Sequence, residues 1–186
     1  MNPLGNPKLI ILDRDGVINE DSDEYIKTPD EWIPIPGSLE AIAALNRAGC
    51  QVVVATNQSG LARGLYTETM LKQIHDRMQQ QLAAVGGHFD GIFYCPHRPD
   101  DQCDCRKPKT GLLLQIAAQF HIDFKDALLV GDAKRDLDCA QAVGCSAVLV
   151  KTGKGLRTLA ANPVWAASVA IYEDLAAVVA ALTNSK

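Results

Sequence analysis

The chain has 186 residues, long enough to bury a full core as one ordinary domain but short for a catalytic domain plus a large second one. With 47% hydrophobic and 22% charged residues it has the balance of a globular protein, neither disordered nor built to cross a bilayer, for which its apolar runs are far too short. A net charge of -4 argues against a general affinity for nucleic acid, so an anionic substrate would have to be met by a local basic pocket.

Met1 to Lys8 lacks the charged-then-apolar layout of a signal peptide, which makes the cytoplasm the expected compartment. The first apolar run, Leu9 to Leu12, reads as a strand buried on both faces because it does not alternate. It runs into Asp13-Arg14-Asp15-Gly16, which sets two carboxylates, one residue apart, at a strand tip. A bound cation would neutralise their repulsion, and aspartate oxygens suit magnesium. An acidic turn bent at Gly16 is the plainer alternative. Ser38 to Arg47 follows as a helix, with Ser38 as its expected N-cap and Gly49 as its stop. The second strand, Val52 to Ala55, opens into Thr56-Asn57-Gln58-Ser59-Gly60, which offers a hydroxyl, side-chain amides and loop N–H groups. Those are hydrogen-bond donors suited to binding phosphate, and equally the residues of a polar turn. Thr67 to Val85 is a longer amphipathic helix closed by Gly86 and Gly87, and Ile92 to Tyr94 is a third strand.

Cys95 to Thr110 has no periodicity, yet Cys95, His97, Cys103 and Cys105 crowd into its first eleven residues. A compartment that keeps thiols reduced favours metal ligation over disulfides, and three thiolates with one imidazole form a closed tetrahedral zinc set with a structural role. Iron takes the same sulfur-rich set, and incidental thiols are the alternative. Cys50, Cys139 and Cys145 sit singly among small or apolar neighbours and read as core filler. Arg106-Lys107-Pro108 precedes a third helix, Gly111 to Phe120, where a cation can balance a phosphate's charge. The strand Ala127 to Val130 delivers Gly131-Asp132, a second acid at a strand tip and a metal ligand in prospect. Asp136 fits an ordinary first-turn acid of the helix Arg135 to Val143 as well as a ligand. Ala147 to Val150 is the last strand and Glu173 to Leu182 the last helix; Leu156 to Ala170 carries no interpretable motif. Strands alternating with helices imply right-handed βαβ units and a parallel, three-layered α/β sheet, with ligands beyond the carboxyl ends of the strands.

Asp-x-Asp-Gly, a Thr after the second strand, a Lys before a helix and Gly-Asp at a later strand end, in that order, resemble the motifs of the haloacid dehalogenase (HAD) superfamily. The resemblance implies a three-layer Rossmann-like HAD fold, a single phosphatase domain over residues 1–186 with no large cap domain, and a zinc loop at about 95–110. It implies Asp13 as nucleophile and Asp15 as general acid and base, with Thr56 and Lys107 on the transferring phosphoryl group. Asp13, Asp15 and Asp132 would be the magnesium site. A carboxylate can attack phosphorus once magnesium draws off the opposing charge, and the acyl phosphate is labile to water.

The runs Asp-Arg-Asp-Gly-Val-Ile-Asn, Thr-Asn-Gln-Ser-Gly-Leu-Ala-Arg-Gly and Cys-Asp-Cys-Arg-Lys-Pro narrow the resemblance to the heptose-1,7-bisphosphate 7-phosphatase family, from Leu9 to about Gly153. That family releases the C7 phosphate of a heptose bisphosphate on the route to activated heptose for lipopolysaccharide or surface glycans. It implies substrate contacts at Asp21, Ser22, Asp23, Glu24, Asn57, Gln58, Ser59 and Arg106, and a small sugar phosphate as the partner. Neither nucleic acid nor membrane is expected, and a monomer is. The pattern breaks at Ala133, where the family has a lysine, so no contact is transferred there. Histidinol-phosphate phosphatases share Asp-Arg-Asp-Gly, the cysteine loop and Cys-Arg-Lys-Pro; Ser59 and Leu61-Ala62-Arg63-Gly64 favour the heptose family. A zinc-stabilised binding module without activity is the alternative of another class, which the full acidic set opposes.

Overall fold

The computed structural model describes residues 4–183, and its six strands form one parallel sheet. The strands are β1 (Leu9–Leu12), β2 (Gln51–Asn57), β3 (Gly91–Cys95), β4 (Ala127–Gly131), β5 (Ser146–Val150) and β6 (Ala170–Tyr172), in the order β3-β2-β1-β4-β5-β6. The chain builds outward from β1 to β3, then returns to the other side of β1 to lay down β4, β5 and β6. The reversal sits between β1 and β4, and in open α/β sheets the crevice at such a point is where ligands bind. In register, Ile10 lies between Val52 and Leu128, and Leu12 between Val54 and Val130.

The unbroken apolar runs of the strands are explained by helices on both faces. Ile10, Leu12, Val52, Val54, Leu128 and Val130 point into one core, where they meet α1 (Ser38–Arg47), α2 (Glu68–Ala84) and α7 (Leu175–Thr183). Leu9, Ile11, Val53, Ala55 and Leu129 point into the other, beneath α3 (Gly111–Phe120) and α4 (Lys134–Ala142). Strand side chains alternate between faces, so a run without polar residues marks a layer covered twice. Cys139 and Cys145 are buried in the second core, and Cys50 packs against the first.

Several element ends shift by one or two residues, and three departures from expectation stand out. Ser38 is the first residue of α1 and does not cap it: Gly37 holds the N-cap position in a left-handed conformation, while the Ser38 hydroxyl donates to the Ile18 carbonyl at 2.7 Å. The last helix begins at Leu175, not Glu173, because the Asp174 carboxylate accepts from Ala177 N at 2.8 Å and fixes the start there. Residues 156–170, which carried no motif, fall mostly within α5 (Gly155–Ala161) and α6 (Pro163–Ala166), which lead into the short edge strand β6. That strand is three residues long and largely exposed at the sheet edge; it lies in Val169-Ala170-Ile171-Tyr172, an apolar run that sequence reasoning passed over. Among the described residues, no helix is long and apolar enough to cross a membrane.

Ile10 is fully buried at the centre of the sheet. Replacing it by alanine is expected to lower the unfolding free energy by about 2–5 kcal/mol in urea denaturation, the range for emptying a well-packed aliphatic site. A loss below about 1 kcal/mol would show that the first core does not depend on β1.

Candidate active site

The tips of β1 and β4, adjacent strands, deliver Asp13 and Asp132 side by side. The Asp13 N–H donates to the Val130 carbonyl at 3.0 Å and ties the two tips together. Asp132 sits under two glycines that have no alternative: a Cβ on Gly16 would lie 2.1 Å from Asp132 Oδ2, and one on Gly153 would lie 2.4 Å from it. Both glycines also have positive φ. Lys154 N donates to Asp132 Oδ2 at 2.7 Å, while Asp132 Oδ1 is buried without a hydrogen-bond partner.

Lys107 is drawn into the same space, almost fully buried. Its Nζ lies 3.2 Å from Asp13 Oδ1 and 2.7 Å from Asp136 Oδ1, and donates to the Ala55 carbonyl at 2.6 Å. The main chain at Lys107 is clamped by Asn57, whose amide gives and takes one hydrogen bond of 3.1 Å each way. Asp136, also buried, accepts from Ala133 N at 3.1 Å and so caps α4 while holding Lys107. Arg135 adds a second cation, 4.0 Å from Asp13 Oδ2.

Asp13, Asp132 and Asp136 therefore gather three buried carboxylates, with oxygens within 4.8 Å of one another, around Lys107 and Arg135. Burial, opposed by Lys107, pushes the Asp13 carboxyl up to about 6. Burial, reinforced by Asp13 and Asp136, pushes Asp132 up to about 8. A divalent cation fits here: the unpartnered Asp132 oxygen and the Asp13 carboxylate are oxygen donors from two strands, enough for magnesium that keeps most of its waters. Asp136 is already committed to Lys107.

Asp15 faces a different environment. Arg14, itself wholly buried, grips its carboxylate with Nε and Nη2 at 3.0–3.1 Å. Asn19 donates at 2.9 Å and Gln58 at 3.0 Å. Burial alone would raise this carboxyl, but Arg14 and the two amides overcome it and hold the pKa below the ordinary value. The Asp15 carboxylate, expected as a magnesium ligand, lies outside the group of three and is taken up by Arg14, Asn19 and Gln58. Gln58 also donates to the Thr56 hydroxyl at 2.8 Å and is held by Tyr66 at 2.7 Å.

A cavity of about 230 Å³ opens above these residues. Asp13, Asp15, Asp21, Ser22, Asp23, Thr56, Asn57, Gln58, Ser59 and Arg106 all line it. Glu24 does not; it lies in a neighbouring groove with Lys27 and Arg63. Lys107 and Asp132 sit beneath the floor. Sequence reasoning missed Tyr25, Ile26, Arg135 and Lys154 on the wall. Lys154 follows β5 within a few residues, so the rule that directed attention to polar residues after strands had only to be applied once more. Its Nζ pairs with Asp21 at 2.6 Å across the cavity mouth. Lys134, the neighbour of Ala133, turns elsewhere, to Asp138 at 2.7 Å and the face of Trp165.

The cysteine loop forms a second cluster. Cys95 ends β3, and its Sγ lies 3.1 Å from Cys105 Sγ, 3.7 Å from Cys103 Sγ and 3.6 Å from His97 Nδ1; His97 Nδ1 lies 3.3 Å from Cys105 Sγ. A tetrahedron whose centre is about 2.3 Å from each sulfur has edges of about 3.8 Å; the separations of Cys95 from Cys103 and His97 come near that, and the Cys105 pairs are closer. The cluster could hold zinc with no position left open. Arg106 follows directly, and its Nη1 donates back to the His97 carbonyl at 3.2 Å.

Residues 104–178 match the HAD-hydrolase-like family model. Over 174 residues, 94% of this chain and 97% of the relative, the sequence is 57% identical to the D-glycero-beta-D-manno-heptose-1,7-bisphosphate 7-phosphatase of Pseudomonas aeruginosa. It is 54% identical over 171 residues, 92% of this chain and 95% of the relative, to the protein of the same name from Bordetella bronchiseptica. The crystal structure of the D,D-heptose 1,7-bisphosphate phosphatase from B. bronchiseptica, complexed with magnesium and phosphate, matches with a TM-score of 0.91 at 52% identity, covering 96% of this chain and 99% of that one.

Two predictions follow from the charges and the thiols. The raised carboxyls of Asp13 and Asp132 make the metal-free fold bind protons that an unfolded chain releases near 3.8. Their contribution to stability therefore falls as pH rises from about 4 toward 8, and those protons compete with a cation. The rise in melting temperature on adding magnesium is expected to grow from about pH 6 to about pH 8; an equal rise across that range would contradict the assignment. Elemental analysis of the purified protein should find about one zinc per chain, the capacity of one closed four-ligand site. Cys105→Ala should release the metal and lower the melting temperature, and full zinc retention by that variant would remove Cys105 from the site.

Proposed function

The chain belongs to the D-glycero-beta-D-manno-heptose-1,7-bisphosphate 7-phosphatase family of HAD-like hydrolases, and from that premise we propose that it hydrolyses the C7 phosphate of D-glycero-β-D-manno-heptose 1,7-bisphosphate in activated-heptose biosynthesis. The observation that carries this reading is the pairing of Asp13 with Lys107 beneath a cavity that Asp15, Arg106 and the Asp21–Asp23 segment also line. We read the described residues as one catalytic domain, with the metal-pinned loop of about 95–110 as part of its wall.

In this reading an Asp13 oxygen attacks the C7 phosphorus, and the bond from phosphorus to the sugar oxygen breaks. The electron pair leaves on that oxygen, which takes a proton from the Asp15 carboxyl. Asp15, now a carboxylate, removes a proton from the water that attacks the aspartyl phosphate, releasing inorganic phosphate and restoring Asp13. The grip of Arg14, Asn19 and Gln58 favours that carboxylate form, whereas a phosphate anion beside it disfavours the charge and favours the acid needed first. Lys107 and the Thr56 hydroxyl hold the phosphoryl oxygens as charge develops. Magnesium would be held by Asp13 and Asp132, with Asp15 beside them, and would supply the charge neutralisation that lets one anion approach another. Asp21, Ser22, Asp23, Asn57 and Ser59 would meet sugar hydroxyls, and Arg106 the phosphate that stays. A cavity of this size and the acidic composition favour a small phosphosugar over a nucleic acid. We place the activity in the cytoplasm, in a monomer.

Phosphate release with magnesium is expected to be fastest from the β anomer, leaving the 1-phosphate as product. Asp13→Asn should abolish turnover by more than roughly 10³-fold, the scale of removing a nucleophile, and Lys107→Met should cost roughly 10²–10³-fold in kcat. Nuclear magnetic resonance of the product distinguishes the two phosphates. Release of the C1 phosphate, or faster turnover of histidinol phosphate, would overturn the proposal.

A further inference from the structure

His75 is a buried titratable group that the reaction as written does not use. It sits on the inner side of α2, only 7% exposed, with its ring tilted against Tyr94 at 6.1 Å between centroids. Its Nε2 lies 3.2 Å from Arg14 Nη1. Arg14 has no exposed surface at all, and its remaining edge, Nε and Nη2, is the fork that grips Asp15. An unbroken line of contacts therefore runs from α2 through a guanidinium to the carboxyl assigned the proton transfers.

An arginine has only donors, so the imidazole must accept with Nε2 and carry no proton there. Burial, and then the Arg14 charge, push the His75 pKa down to about 3, which keeps the ring neutral at physiological pH. A guanidinium is planar, so a contact on Nη1 fixes the plane in which Nε and Nη2 point. Without it, Arg14 could turn about its last torsion and carry the Asp15 carboxylate with it. Filling the space between α2 and the sheet would require only an apolar side chain of similar volume; it would not place an acceptor on the outer nitrogen of that guanidinium. Gln58, which holds Asp15 along with Asn19, is braced in a parallel way by Tyr66.

We propose that His75 is a positioning residue for the reaction, whose Nε2 accepts from Arg14 and fixes the guanidinium plane that holds Asp15 in place for proton transfer. The inference rests on the role given to Asp15 under the proposed function.

The test compares His75→Phe, which removes the acceptor, with His75→Gln, which keeps one, in the magnesium-loaded protein. The phenylalanine variant is expected to lower kcat on the sugar bisphosphate about ten- to a hundredfold, the scale of misplacing a general acid, with KM within about twofold. Glutamine should restore most of the loss. First-turnover release of p-nitrophenolate from p-nitrophenyl phosphate should be unchanged in both variants, because that leaving group departs without a proton. Melting temperatures are read alongside, and if the phenylalanine variant does not fold, His75→Leu takes its place. An unchanged kcat, a loss shared equally by the two substrates, or a failure of glutamine to restore the rate would each overturn the inference. If the unaltered chain turned over neither substrate, the proposed function would fall instead, and the inference with it.

Discussion

Carboxylates at the buried tips of a parallel sheet set the terms for everything around them. Asp13, Asp132 and Asp136 are almost fully excluded from water, and an ionised carboxylate in that position is costly unless charge or hydrogen bonds compensate it. Lys107 is the compensation that the chain itself provides, touching Asp13 and Asp136 with one ammonium. One cation for three acids leaves a deficit. Arg135 reduces it, and the unpartnered oxygen of Asp132 shows where it remains. A site of this kind is assembled to take up a cation and then an anion in turn.

That dependence on Lys107 explains the otherwise unstructured loop before it. Lys107 comes from no strand tip; it must be carried there from the end of β3 by the segment 96–106, whose regular structure is one 3-10 turn, Pro99–Asp101. The thiols and the imidazole gather those residues into one knot that starts at the buried end of β3, and Asn57 clamps the main chain at Lys107 from the tip of β2. A metal in the knot would convert a flexible delivery into a fixed one, which suits an ammonium that sits 3.2 Å from Asp13, the proposed nucleophile.

The layered fold was legible because each central strand is an unbroken apolar run and each main helix ends at a glycine or a cap. The acids were legible for the same reason, since an aspartate directly after such a run has only one place to go. What escaped were features made by contacts remote in sequence. Strand β6 lies in the short apolar run Val169 to Tyr172 and sits largely exposed at the sheet edge. Ser38 resembles an N-cap until the fold brings the Ile18 carbonyl to its hydroxyl. The pairing of Lys154 with Asp21 joins residues more than a hundred positions apart, and no local pattern encodes it. Arg14 is the sharpest case: its place between two acids says nothing of its being wholly buried and organising its neighbour.

Asp13 and Asp15 are two residues apart, yet their environments push them in opposite directions: burial raises the first, while Arg14 and two amides lower the second. In the proposed reaction the required order is the reverse, an ionised nucleophile and a protonated acid. The reversal needs no movement of the chain. A divalent charge against Asp13 favours its ionised form, and a phosphate anion opposite Asp15 favours its protonated form, so each ligand corrects the residue nearest to it. The working protonation pattern would then exist only with cation and substrate both in place. Such an arrangement would keep an open site from being committed to chemistry before its substrate arrives.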